Sequence, residues 1–317
     1  MLWLSCDGNR SADGRKAASS LTRLPALGES CSESDDRLRG SFLVNRLLNS
    51  VESKHTFLAK GVRQIYPSQY RLPDFLCLGA QKAGTTTLHE LLSQHPNVYL
   101  PPIKEVHYFD LHFDHDSDWY AAHFRVARRH QTCGEISPYY LFHPEAPRRI
   151  RSLLPDVKLI VLLRDPVERS ISGYYHSMRR EYEYLSIEDA FTEEERRLAS
   201  SEKRLSSPGG SHFSHQHHSY LSRSRYELQI QRYQEYFDAE QLLLLRSEDL
   251  FLNLAGVWKR ITEFLGLKPQ SCPRIIPHAN RSNGEADGVR PEFRRWLREE
   301  LRDTYDSLKV SQGISWT

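Results

Sequence analysis

An α/β fold with a central, mainly parallel sheet flanked by helices follows from three features of this 317-residue chain. Short apolar runs alternate with helical patterns from residue 74 onward, the order that builds parallel sheets. Two runs, KLIVLLR (158–164) and QLLLLR (241–246), are apolar almost throughout rather than at every second position, as strands buried on both faces are. A Gly-bounded loop separates the first run from the first helical pattern, a place where α/β proteins cradle anions.

Residues 1–40 are rich in Ser, Arg, Asp and Gly without a sustained apolar period, which predicts a disordered tail. Phe42, Leu43, Leu47 and Leu48 recur at helical spacing, so 41–72 reads as a helical lead-in to a domain over 73–317. DFLCLGA (74–80) is the first strand, and a helix follows through TLHELLSQH (87–95) to Pro96. VYLP (98–101), TCGEIS (132–137) and the two apolar runs supply the other strands. Helices are expected at 118–129, 144–153, 166–180, 223–237, 252–265 and 291–308. In the last, Trp296 and Leu297 are expected to dock on the core. The run FTEEERRLASSEKR (191–204) reads as an exposed helical face. Segment 199–224 carries Ser, Gly, His and charge with little periodicity, and reads as a mobile loop of the kind that covers active sites.

A formal net charge of +2 supplies no strong field for nucleic acid or membrane, so an anion site has to be built locally. Five scattered cysteines without a CxxC pair argue against a disulfide framework or a zinc site and for a reducing, cytoplasmic location. No apolar stretch approaches the roughly 18–20 residues of a membrane span, and MLWLSCDGNR is too short and polar for a signal peptide. His212, His215, His217 and His218 sit in a Ser- and Gly-rich setting and read as a solvated cluster, with no metal expected.

The loop GAQKAGTTTLHELL begins at Gly79, and Gly79 and Gly84 have the GxxxxG spacing of a P-loop. Such a loop turns its N–H groups, those of Ala83 and Gly84 among them, toward an anion at a helix N-terminus. Thr85 stands where the nucleotide-triphosphate pattern requires lysine, and the lysine comes earlier, at Lys82. A lysine inside the loop suits a shorter anion and argues against kinase chemistry.

QKAGTTTL (81–88), KEVHYFD (104–110), GEISPYYLF (134–142) and VLLRDPVERSISGYYH (161–176) resemble, in order, the motifs of PAPS-dependent sulfotransferases, especially the heparan-sulfate type and its bacterial relatives. SRYELQIQRYQEYF (224–237) and QLLLLRSEDL (241–250) resemble that family's later helix–strand unit. The resemblance implies that the loop is a 5′-phosphosulfate site. Lys82 would contact the bridging oxygen, and Gly84, Thr85, Thr86 and Thr87 the phosphate oxygens. Arg164 and Ser172 would bind the 3′-phosphate, with Arg281 a further candidate in the loosely matched HANRSNGEADGVRP (278–291). Glu105 would be the catalytic base and His107 its neighbour. PAPS would be the donor and PAP the product, with no metal required. The acceptor would carry a hydroxyl or amine on a glycan, lipid, polyketide-like chain, tyrosyl peptide or small metabolite.

Read without the resemblance, Arg164 could pair with Asp165 or Glu168, and Glu105 with Lys104. A Glu105 desolvated among Val106, Tyr108 and Phe109 would have its pKa raised toward that of a general base, and His107 is an alternative base. Ile136 stands where heparan-type enzymes often carry a lysine, which weakens the case for a polyanionic acceptor. A small-molecule kinase and a non-catalytic PAP-binding protein are the rival classes.

Overall fold

Apolar runs too short to bury themselves as helices pair into a five-stranded sheet, seen in a computed structural model that describes residues 71–268, 271–273 and 284–316. The tail, nearly all of the lead-in, and Arg281 lie outside the described residues. The strands are β1 (Phe75–Gly79), β2 (Val98–Tyr99), β3 (Thr132–Ile136), β4 (Lys158–Leu163) and β5 (Leu242–Arg246). Each falls within a run expected to form one. All pairings are parallel, in the order β2-β3-β1-β4-β5. Every residue of β1 is buried, as are Leu159 to Leu163 of β4, which is why neither strand alternates polar with apolar.

The chain leaves β1 for the β3 side of the sheet, then crosses to β4 on the other side. That reversal opens a crevice beyond the carboxyl ends of β1, β3 and β4. The loop after β1, Ser137 after β3, and Arg164 after β4 all arrive there.

The helices of the first half are α1 (Thr85–Ser93), α2 (Ser117–Ala122), α3 (Ala146–Leu153) and α4 (Pro166–Arg179). Short helices α5 (Ile187–Thr192), α6 (Glu194–Leu198), α7 (Ser201–Leu205) and α8 (Phe213–His217) lead to α9 (Tyr226–Gln234). The last are α10 (Ser247–Leu252), α11 (Leu254–Leu265), α12 (Pro291–Glu300) and α13 (Arg302–Gln312). Helix α2 stops well short of residue 129; its C-cap carbonyl, that of His123, accepts the Tyr99 hydroxyl at 3.0 Å. The single helix expected over 291–308 is two, broken at buried Leu301. Leu297 docks on the core as expected, whereas Trp296 is partly exposed and stacks on Phe293. No helix among the described residues is long and apolar enough to cross a membrane.

The largest departure is segment 199–224. It is not irregular but folds into α7, α8 and a 3₁₀ turn, Ser222–Ser224. The cause lies outside the segment. Glu194, expected on an exposed face, is buried, and its carboxylate accepts the N–H groups of Tyr220, Leu221 and Ser222 at 2.8 Å each. Arg149 donates to Leu205 O and Ser207 O at 3.0 and 3.1 Å. The His cluster is likewise not simply solvated: His215 stacks on Phe142 and pairs with the Tyr139 hydroxyl at 2.7 Å, and His218 is buried.

Candidate active site

Lys82 sits in a turn that only an unusual backbone can make. Gly79 has φ 144°, and a Cβ there would lie 2.9 Å from Pro138 O, so glycine is required. Gly84 has φ 90° and caps α1, and Lys82 itself is left-handed at φ 72°. A non-glycine residue in that region costs about 1–3 kcal/mol, which surrounding structure has to hold in place. Thr85 and Thr87 are buried in the first turn of α1, and Thr86 is half-buried.

Positive charge surrounds Lys82. Burial first, then Arg179, Arg164, Arg169 and Arg180, push its pKa down to about 8. The guanidinium of Arg164 lies against the loop, donating to Lys82 O at 3.4 Å. Asp165 and Glu168, its possible partners by sequence, are engaged elsewhere. Asp165 caps α4 and accepts the Tyr305 hydroxyl, and Glu168 pairs with Arg294. Ser172 is buried in α4, one helical turn before His176. His176 is pushed down to about 4 by burial and then by Lys82, Arg180 and Arg179, so its ring is neutral at pH 7. Arg223, buried, ties segment 199–224 to the loop by donating to Gln81 Oε1 at 2.8 Å.

The turn 104–110 has the opposite character, because every charge in it has a partner. Lys104 Nζ donates to Glu105 Oε1 at 2.8 Å and to Thr86 Oγ1 at 3.3 Å, bridging the carboxylate to α1. His107 Nε2 lies 3.5 Å from Glu105 Oε2, while His107 Nδ1 meets the fully buried Asp110 carboxylate at 2.9 Å. Glu105 and His107 have φ 65° and 59°. Burial alone would raise the Glu105 carboxyl, but His107 and Lys104 outweigh it and hold its pKa down at about 2. This reverses the expectation of a raised carboxyl. Burial works against a charged His107 too, yet hydrogen bonds to Asp110 and Glu105 carry it up to about 10.

A helix N-terminus, a cluster of cations and a clamped carboxylate thus meet beyond the carboxyl ends of a parallel sheet. Residues 72–289 match the family model described as Sulfotransferase domain. The chain belongs to the sulfotransferase family. It is 32% identical over 229 residues to the human bifunctional heparan sulfate N-deacetylase/N-sulfotransferase 3, covering 67% of this chain and 23% of that protein. To the human heparan sulfate glucosamine 3-O-sulfotransferase 3B1 it is 30% identical over 198 residues, covering 62% and 47%. The chain thus spans less than half the length of either relative. A sulfotransferase from Alicyclobacillus acidocaldarius superposes with TM-score 0.63 at 27% identity, covering 78% of this chain and 98% of that one.

Within this sulfotransferase domain, Lys82, the loop threonines and Arg164 gather at one place, and Lys104 links them to Glu105 and His107. Ile136 points into the hydrophobic core, so its position offers nothing to a ligand. The Glu135 carboxylate is buried and accepts three hydroxyls, from Tyr120, Ser137 and Tyr140, at 2.5–2.7 Å. Reading the sequence offered Lys104 only as a possible partner of Glu105, which it is, and missed three contributors: Asp110, His176 and Arg179. Asp110 had a signal, since a carboxylate three residues after a histidine can face it across a turn. Arg179 had none, because nothing local says that the far end of α4 returns to the loop.

Proposed function

We propose that this domain transfers a sulfuryl group from PAPS to a hydroxyl or amine of a carbohydrate, releasing PAP. The observation that carries the reading is the cationic, half-buried Lys82 inside the phosphate loop, joined through Thr86 and Lys104 to the Glu105 carboxylate. The N–H groups of residues 83–87 and the threonine hydroxyls hold the 5′-phosphate, and Arg164 with Ser172 takes the 3′-phosphate. Arg179 and Arg180 extend the positive field. The named relatives act on heparan sulfate or its glucosamine, which supports a carbohydrate acceptor.

Glu105 takes the proton of the acceptor as the acceptor atom bonds to sulfur, and Lys82 stabilises the charge left on the departing phosphate oxygen. A carboxylate with a pKa of about 2 is a poor base, so Lys104 has to leave it. Lys104 already touches Thr86, and an anion on the loop draws it that way, restoring basicity to Glu105 when donor is present. His107, held as imidazolium by Asp110, offers no lone pair to an acceptor and serves instead to orient Glu105.

Thermal unfolding tests the donor. PAP should raise the melting temperature far more than ADP, since only PAP presents a 3′-phosphate to Arg164 and Ser172. Equal stabilisation by both would remove the sulfuryl-donor reading. Transfer of label from PAPS to desulfated glycans, against lipid and peptide acceptors, then tests the carbohydrate.

A further inference from the structure

Two residues past the catalytic turn, the chain places His112, Asp114 and His115 together. One ligand atom from each lies within 4.8 Å of the others. We propose that these three residues form a binding site for a divalent transition metal, of the zinc class, on the surface beside the active site.

Donor set and geometry both suit such an ion. Two imidazoles and one carboxylate are ligands for zinc, with water completing a tetrahedron. Ligand atoms around a tetrahedral zinc stand about 3.3–3.5 Å apart, so atoms within 4.8 Å of one another need draw in by at most about 1.5 Å. The rings are already held: His115 stacks on Trp119 with centroids 4.4 Å apart and planes at 13°, and His112 packs on the same indole at 5.6 Å. Asp114 is pressed against Gly209, where a Cβ would lie 2.9 Å from its Cγ. Among the described residues, no hydrogen bond or ion pair occupies the ring nitrogens of His112 and His115 or the Asp114 carboxylate.

The local field favours a cation. From Val106 to Phe124 the chain carries Asp110, Asp114, Asp116 and Asp118 but no lysine or arginine. Arg149 approaches from α3, over the Phe113 ring at 4.6 Å, but it is spent on the carbonyls of Phe109, Asp110, Leu205 and Ser207. The more conspicuous histidines of 212–218 are poor rivals, since their nitrogens are largely taken. His215 Nδ1 pairs with Tyr139, and His218 uses both nitrogens, on Ser214 and Tyr182 O. His212 Nδ1 accepts from His215 N.

The site is separate from the transfer chemistry, yet it braces it. His112 N–H donates to His107 O at 2.9 Å, so an ion held by 112, 114 and 115 stiffens the turn that carries His107 and Asp110.

The test uses the tag-free full chain, stripped with chelator and titrated with Co²⁺, followed by its visible absorption and by displacement with Zn²⁺. One equivalent should bind, and Zn²⁺ should displace it. His112→Ala/His115→Ala should weaken it at least about tenfold, in line with losses from disturbed zinc sites. His212→Ala/His217→Ala should leave it unchanged. An undiminished thermal shift with PAP shows that each variant is folded. No saturable binding to wild type, or equal binding by the His112→Ala/His115→Ala protein, overturns the proposal.

Discussion

The two sides of the site handle charge in opposite ways. Around Lys82 the neighbours are Arg164, Arg169, Arg179 and Arg180, and their mutual repulsion, added to burial, lowers the lysine toward neutrality. Around Glu105 the order is Lys104, Glu105, His107, Asp110, with each charge set against its opposite. A wall of like charge is costly until an anion arrives, and so it binds anions strongly and discriminates on their charge. A closed chain of opposite charges is comfortable when empty and weakly basic, and it becomes reactive only when a member is pulled away. On the proposed mechanism, the contrast means that donor binding arms the base. The donor's negative charge relieves one side and competes for Lys104 on the other.

The largest effect expected follows from removing the proposed proton acceptor. Glu105→Gln keeps the shape and loses the charge, so turnover should fall about 10²–10⁴-fold while PAP affinity changes less than about threefold. Near-normal turnover would detach the turn from the chemistry. Lys82→Ala should cost about 10²–10³ in turnover, more than it costs in PAP affinity, because its contact strengthens as the bridging bond breaks. A pure donor KM effect would reduce Lys82 to one more member of the wall. Arg164→Ala should weaken PAP by about 1.5–3 kcal/mol with little change in turnover at saturation.

Two smaller effects sharpen the contrast through pH. Lys82 has its pKa lowered, to about 8, so it is cationic below that pH and loses its charge above it. PAP affinity should therefore fall as pH rises through about 8, by up to about tenfold per unit, and Lys82→Arg should flatten that slope. Glu105 is likewise lowered, to about 2, so it is ionised above that pH and its acid limb in kcat/KM lies near pH 2. Lys104→Met removes one of the charges holding it down, and the limb should move up in pH. An unmoved limb would sink the idea that Lys104 restrains the base.

The sheet was readable from sequence because strands buried on both faces are uniformly apolar, as β4 shows from Leu159 to Leu163. The phosphate loop was readable because its glycines and Lys82 lie within six residues, between a strand and a helix. Segment 199–224 was misread as irregular for the converse reason. Its order is imposed by Glu194, Arg149 and Tyr139, residues that local composition does not connect with it. The direction of the Glu105 shift was missed likewise, because it depends on which of burial or partners prevails. Sequence showed the apolar neighbours and not the grip of His107.

Among the described residues, four that are not glycine have left-handed φ, and three of them are Lys82, Glu105 and His107. At 105 and 107 glycine would strip the partners of Lys104 and of buried Asp110, but at position 82 it would relax the backbone by about 1–3 kcal/mol and remove a half-buried cation from among like charges. A laboratory selection for heat resistance alone would therefore be drawn to codon 82, and on the proposed mechanism it would enrich proteins that fold better and transfer less. If Lys82 has the proposed role, thermostabilisation of this domain has to screen for turnover in every round, and glycine or asparagine at 82 should be struck from its libraries at the outset.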